Sequence, residues 1–348
     1  MTGSELARRL LSEESITSPI VSLYFTVPAD PAHLVGLVRR ACPDLDHATV
    51  DGVRGVVEDL RGTRGGVALF VSPPPGLPRR LSLPCELAES AHVGMRPYVR
   101  PLLAALQRCV PYCVAVFDNA RAWIGVRREG LLVETAVIRD DAMPYGPAER
   151  GVMAGGSRDG YLRRIADRVA ETVRKEGVDA VVLGGQAQEV PRLIALLPAV
   201  AHEVFAGHII AEPSAVTPAK LRRLADEVVA RWRAATEERL AAAVLDEAAG
   251  GTHAVEGLAC CLAAAGAGAV RQLLVEDGPE VPGVACESCA ALLPDMWPAC
   301  PACGGRVRPV EDVLEEAVVA VLRGGGQVVP LPPYLLEGVQ AAARLRRH

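Results

Sequence analysis

Hydrophobic and polar positions follow three successive patterns along this chain, and each predicts its own set of elements. In the first stretch, to about residue 106, the run IVSLYFTV follows Ser18-Pro19 without a polar break. Its β-branched and aromatic residues predict a buried strand. Helices are predicted around 31–42 and 47–61. Gly65-Gly66 then lead into VALFVS, a second strand. PPPGLP at 73–78 reads as a rigid loop. A short strand near 80–84 and a helix near 99–108 complete the set.

The second stretch, 110 to about 210, opens with PYCVAVFDN, ARAWIGVRR and GLLVETAVI. These predict three successive strands with tight turns at Asp118-Asn119 and Glu129-Gly130. A polar segment rich in Gly and Pro follows, RDDAMPYGPAERGVMAGGSRDG, residues 139–160. A connection of that length is usually functional or disordered. The helix after it, from Tyr161, places Leu162, Ile165, Val169 and Val173 on one face, and Gly177 stops it. The strand DAVVLGG, a helix near 187–196 and a strand near 200–205 follow. The order βββαβαβ predicts a mixed sheet with packed helices.

The third stretch starts at Thr217-Pro218, a residue suited to capping followed by a proline suited to a first turn. Its helix runs to about Ala249 with Leu221, Leu224, Val228 and Trp232 as an apolar stripe, and Gly250-Gly251 close it. A helix near 253–265, the strand QLLVED, a cysteine-rich insertion, the helix VEDVLEEAVVAVLRG and the strand QVVPL come next.

Composition narrows the picture. The chain has 348 residues, half of them hydrophobic, so it can bury several cores and is not a mainly disordered protein. Aromatics are only 4%, so those cores are aliphatic. The net charge of −5 supplies no overall positive field for nucleic acid, and any RNA contact must come from local basic patches. The opening MTGSELARRLLSEESIT has no apolar signal core, and no run is long enough to span a bilayer. The expectation is a cytoplasmic protein without a membrane segment.

Four of the ten cysteines carry the strongest chemical signal. Cys286, Cys289, Cys300 and Cys303 have the spacing C-x2-C-x10-C-x2-C. Two such knuckles can close a tetrahedral four-thiolate site around one Zn²⁺, and four thiolates leave no open position, so the ion would be structural. The gap between knuckles is shorter than the usual span of about fifteen to twenty residues, so the loop must be compact. The competing reading is four buried cysteines without metal. Cys42, Cys85, Cys109, Cys113, Cys260 and Cys261 lack paired spacing and read as small buried apolar side chains in a reducing compartment. The fold class is thus α/β, in three consecutive α/β domains at 1–107, 108–214 and 215–348. The central one is a mixed sheet, and the last is a small α/β/α domain with a zinc ribbon inserted at 284–308.

Common catalytic signatures are absent from the sequence. There is no GxxxxGK[ST], no HExxH and no GxSxG. Gly266 and Gly268 form half a dinucleotide pattern, but on a helix-to-strand turn, the reverse of what that fold needs. Gly155-Gly156 precede the central helix, and adjacent glycines let a backbone approach a partner closely. Arg158, Arg163, Arg164 and Arg168 on the helix, with Arg128 and Arg150 upstream, form a candidate RNA-binding surface. The alternative is a solvated helix face behind a flexible loop. Gly184-Gly185-Gln186 follows a strand directly, which is ordinary turn chemistry.

Together these parts resemble the class-1 translation release factors of eukaryotes and archaea and their relative Pelota. Within that superfamily the chain looks most like the bacterial members, which include the hibernation factor Balon. The resemblance rests on VSLYF, RGGVALFVS and RPYVRPLL in the first domain, on the central strands with a Gly-Gly segment before a long helix, and on the ribbon in the last domain. It implies the ribosome as partner, through rRNA and tRNA, a translational GTPase such as elongation factor Tu as a candidate for delivery, and a monomer. In true release factors a Gly-Gly-Gln tip helps position water on the peptidyl-tRNA ester. The matching place here reads Ala154-Gly155-Gly156-Ser157, without the Gln, so Gly155, Gly156 and Ser157 are the catalytic candidates. Gly184-Gly185-Gln186 lies on the wrong element for that role. Two readings follow: a non-catalytic factor in the A site of vacant or stalled ribosomes, for hibernation or rescue, or a peptidyl-tRNA hydrolase with a degenerate loop.

Overall fold

The computed structural model describes residues 3–12, 18–60, 64–72, 79–128, 131–139, 154–211, 216–251 and 253–346, with the backbone alone at 154–157. The predicted PPPGLP loop, the Glu129-Gly130 turn and most of the polar segment before the central helix lie outside these residues. Among the described residues, no helix is long and apolar enough to cross a membrane. The chain forms two compact units: Met1–Cys109 with Glu237–His348, and Val110–Thr236.

The N-terminal segment contains α1 (Gly3–Leu11), β1 (Ile20–Val27), α2 (Pro31–Ala41), α3 (His47–Asp59), β2 (Gly65–Val71), β3 (Arg79–Leu83), β4 (Ser90–Gly94) and α4 (Arg100–Arg108). The sheet order is β3-β2-β1-β4, antiparallel throughout. Side chains alternate across β1 with a period of two. Val21, Leu23 and Phe25 pack against Leu34, Val38, Val53 and Val57 of α2 and α3. Ile20 and Tyr24 face Leu102 and Ala105 of α4. Asp30 and Asp46 cap α2 and α3 by accepting from the N–H groups of Ala32 (3.0 Å) and Thr49 (2.8 Å). The short α1 and β4 fall outside the predicted elements.

The central unit holds β5 (Tyr112–Phe117), β6 (Arg121–Arg128), β7 (Leu131–Arg139), α5 (Ala154–Glu176), β8 (Ala180–Gly185), α6 (Val190–Ala195), α7 (Ala199–His202) and β9 (Phe205–Ile210). Its mixed sheet runs β7-β6-β5-β8-β9, with β5, β8 and β9 parallel. Cys113, Ala115 and Phe117 of β5 meet Leu162, Ile165 and Val169 of α5. Tyr112, Val114 and Val116 face the opposite side, so β5 is buried on both faces. The strand expected at 200–205 is a correction: 199–202 are helical and the strand follows at 205–210.

The long α8 (Pro218–Ala249) spans the division between units, which falls at 236/237. Leu221, Ala225, Val228 and Val229 belong to the core of the central sheet, while Ala241 and Val244 belong to the C-terminal core. Then come β10 (Ala254–Glu256), α9 (Leu258–Gly266), β11 (Val270–Glu276), β12 (Gly283–Cys286), β13 (Leu292–Leu293), β14 (Val307–Val310), α10 (Val313–Arg323), β15 (Gln327–Leu331) and β16 (Ala341–Leu345). The C-terminal sheet is β10-β16-β11-β15 and the ribbon sheet is β13-β12-β14. The helix predicted over 253–265 therefore begins with a strand. Ala254 pairs with Arg344 and Gly257, at φ +86°, turns the chain into α9.

Within the first unit a buried ionic clasp joins the N-terminal segment to the C-terminal one. The N-terminus of α4 has no side-chain cap of its own. Glu315 of α10 supplies it, accepting from Val99 N–H at 2.8 Å and Arg100 N–H at 3.1 Å. Asp312 caps α10 through Leu314 N–H at 3.1 Å, and its other oxygen accepts from the Tyr98 hydroxyl at 2.6 Å and from the Arg100 guanidinium. Arg100 also donates to the carbonyls of Glu276 (3.4 Å) and Gly278 (3.3 Å). His92 stacks on Tyr98 with ring centroids 3.7 Å apart.

Burial pushes the Glu315 carboxyl up to about 7, against the pull of the Val99 N–H. Its folded value lies above its unfolded one of about 4.3, so the folded chain takes up the proton first as pH falls. The associated stability is present below the unfolded value and is lost as pH rises through about 7. Thermal melts are therefore expected to lose this contribution between about pH 4.3 and 7, and Glu315→Gln should make the slope of stability against pH more positive there, where His92, lowered to about 4 by burial, acts with the opposite sign. An unchanged slope in the variant would assign the titration to another group.

Candidate metal centre and central-domain site

The ribbon builds its cluster from two matched knuckles. The first leaves β12 at Cys286 and turns through Ala290, at φ +59°. The second turns through Gly304, at φ +72°. Cys286 N–H donates to Ala291 O at 2.8 Å and Gly304 N–H to Cys300 O at 2.8 Å, closing each turn. The compact loop expected between knuckles is there: β13 pairs Leu292 and Leu293 back onto β12, and Met296 and Trp297 stay exposed. Gly305 must be glycine for space, since a Cβ there would lie 2.6 Å from Ser288 Oγ and 3.1 Å from Cys303 Sγ.

The four sulfurs lie within 4.8 Å of one another. Cys286 and Cys303 sulfurs are 3.5 Å apart, and those of Cys289 and Cys300 are 3.6 Å apart. A tetrahedral four-sulfur zinc site with bonds of about 2.3 Å has edges of about 3.8 Å. Backbone N–H groups also point at sulfur: Cys289 (3.5 Å) and Ser288 (3.4 Å) at Cys286, and Gly305 (3.4 Å) at Cys303. The first two hold the Cys286 thiol down to about 6, while the thiols of Cys289 and Cys303 lie above their usual value beside the other sulfurs, so it is the sulfur spacing that carries the metal reading. The cluster therefore fits a metal ion bound by four thiolates, with no ligand position left for chemistry.

The other cysteines correct part of the sequence reading. Cys113 and Cys261 are buried, and desolvation pushes each thiol up to about 12. Cys85 and Cys109 are joined as a disulfide, Cys260 is exposed and Cys42 is half-buried. A separation of 24 residues carries no pairing signal in sequence; folding of the β3–β4 connection beside α4 creates it.

In the central unit, α5 begins at Ala154, seven residues before the predicted start, so the backbone of Gly155, Gly156 and Ser157 lies in its first turn. Arg150 lies outside the described residues. Arg158 is committed: it donates to Glu189 at 2.8 Å and lies 5.1 Å from the Tyr161 ring. Arg128 pairs with Glu176, Arg168 with Glu171 at 2.7 Å, and Arg164 donates to Arg139 O at 3.0 Å. Among the described residues Arg163 is exposed and has no partner.

Gly184 and Gly185 are the last residues of β8. A Cβ on Gly184 would lie 2.9 Å from Val116 Cγ2, and one on Gly185 would lie 2.9 Å from Phe117 Cε1. These glycines answer a packing demand. The carbonyl of Gln186 accepts from Glu189 N–H (3.0 Å) and Val190 N–H (3.2 Å), which leads the chain into α6. Gln186 thus sits in a short, hydrogen-bonded turn.

Fold and site together define a multi-domain α/β protein with a four-cysteine ribbon inserted in its last sheet domain. No protein-family model and no curated protein matches the chain. Solved structures do resemble it. An archaeal translation termination factor is 16% identical, with 100% of this chain and 99% of that one covered and a TM-score of 0.28. Archaeoglobus fulgidus Pelota is 16% identical over 83% and 81% of the chains, with a TM-score of 0.37. An archaeal Pelota described as ribosome-bound is 16% identical over 100% and 94%, with a TM-score of 0.46.

Proposed function

We propose that this chain is a ribosome-binding translation factor of the release-factor and Pelota kind, occupying the A site of vacant or stalled ribosomes in hibernation or rescue. It acts without hydrolysing peptidyl-tRNA. The observation that carries the reading is the module order: an antiparallel-to-parallel central sheet, a glycine pair at the start of its long helix α5, and a four-cysteine ribbon inserted between β11 and α10. The non-catalytic character is supported by Ser157 standing where a Gln would be needed, a shorter side chain with no base adjacent in sequence. It is supported again by Gln186 belonging to a short turn beside packed glycines. The ion in the ribbon is Zn²⁺, held by Cys286, Cys289, Cys300 and Cys303, and its contribution is to fold the ribbon. A translational GTPase such as elongation factor Tu is the delivery partner this reading suggests.

Co-sedimentation with vacant bacterial ribosomes at low and moderate salt tests the proposal. Specific pelleting that survives moderate salt is expected. Arg163→Ala should weaken it and lower the slope of log affinity against log salt by about one. No pelleting at either salt would discard the ribosome as target. Release of peptide from peptidyl-tRNA, lost on changing Ser157 or Gln186, would install the hydrolase instead.

A further inference from the structure

Cys85 lies in the β3–β4 connection and Cys109 ends α4, with Cα atoms 6.3 Å apart. That distance is inside the range of about 4.4–6.8 Å that a disulfide spans. Each cysteine is placed by bonds that do not involve its sulfur. Thr26 Oγ1 donates to Leu87 O at 3.0 Å and accepts from Leu87 N–H at 2.8 Å, pinning the connection next to Cys85. Cys109 N–H donates to Ala105 O at 3.1 Å and Leu106 O at 3.2 Å. The two sulfurs can therefore join or part without rebuilding the backbone. Both residues are half-buried, within reach of a small reagent.

The rest of the chain is built for reduced thiols. The ribbon cluster holds metal only as thiolates, and Cys260 is exposed and unpaired. In such a setting a disulfide is more often redox-sensing than a standing staple. Its position gives it something to control. Cys109 is the last residue of the N-terminal part of its unit, and Val110 begins the other unit. With the bond closed, this exit is tied covalently to the β3–β4 connection; with it open, the exit rests on the last backbone bonds of α4 and on the exposed pair of Arg108 with Asp277 at 3.0 Å.

We propose that Cys85 and Cys109 form a reversible thiol–disulfide switch that anchors the exit of the chain from its first unit. The oxidant is a small-molecule disulfide such as oxidised glutathione. The thiolate of one cysteine attacks a glutathione sulfur, forming a mixed disulfide and releasing one glutathione thiolate. The second cysteine's thiolate then attacks the protein sulfur, closes the Cys85–Cys109 bond and releases the second. The protein gives up two electrons, the glutathione disulfide takes them, and the two thiol protons pass to the released thiolates. Reduced glutathione reverses both exchanges.

The test uses the full chain in zinc-containing buffer, equilibrated across reduced-to-oxidised glutathione mixtures. Differential alkylation with peptide mass spectrometry reads Cys85 and Cys109, and hydrogen exchange reads the amides of 106–110. Both cysteines should be alkylated in reduced mixtures and linked to each other in oxidised ones, reversibly. Oxidation should slow exchange across 106–110 by about tenfold or more. In Cys109→Ser, Cys85 should stop at the mixed disulfide with glutathione. A bond that persists in fully reduced glutathione would make this a permanent staple and overturn the switch. Alkylation of both cysteines in the oxidised mixture would remove the pair, and unchanged exchange would remove the anchor.

Discussion

Replacing Cys300 with serine is expected to empty the ribbon of metal and unfold it. Cys300 is buried, its sulfur lies 3.6 Å from that of Cys289, and its backbone closes the second knuckle through Gly305 O at 2.9 Å. The ribbon's own apolar content is small, Val284, Ala285 and Leu292 being its buried aliphatic residues. A sheet that short lacks the core to fold alone, so the ion must supply the difference. Structural zinc contributes an apparent ~10–16 kcal/mol in isolated finger peptides, and part of that is expected here. Elemental analysis should find about one zinc per wild-type chain and near none in the variant. Chelation of the wild type should reproduce the variant's melting profile. Freshly purified wild-type chain without metal, yet folded, would refute the zinc assignment.

Asp312→Ala is expected to be the most destabilising single change outside the ribbon. The substitution strips partners from a buried guanidinium, a half-buried hydroxyl and the N–H groups of Leu314 and Val281. Breaking a buried ion pair from one side costs about 3–5 kcal/mol, because the other charge stays buried without compensation. Loss of the α10 cap adds about 0.5–2 kcal/mol. Against a total domain stability of about 5–15 kcal/mol this is severe. Urea unfolding reads it as a lowered midpoint. The double variant Arg100→Met with Asp312→Leu should be far less harmful than the sum of its parts, since removing both charges leaves no stranded ion. A loss below about 1 kcal/mol in Asp312→Ala would mean the clasp does not bind the two segments together.

How much of this was legible in the chain can be judged from particular residues. IVSLYFTV, YCVAVF and AVVLGG declare themselves as strands because both of their faces are buried and their apolar runs are unbroken. Thr217-Pro218 and Gly250-Gly251 mark the ends of α8 because cap and stop chemistry is local. The doubled knuckle spacing brings the four ribbon cysteines together as a group that could hold a metal ion, because each half is a single turn. These features depend on neighbours within a few residues, and sequence alone determined them.

What tertiary structure decided has partners far away. Ala341, Ala342 and Ala343 favour helix by propensity, yet they form β16, because β10 and β11 on either side satisfy their backbone groups. Glu315 caps a helix 215 residues earlier, and Asp312 pairs with Arg100 at a separation of 212. Cys85 finds Cys109 only after a strand connection folds beside α4. Gly184 is needed because Val116 packs against it from a neighbouring strand. In each case the deciding interaction is a desolvated contact between distant residues. Its cost is set by burial, which local pattern does not carry.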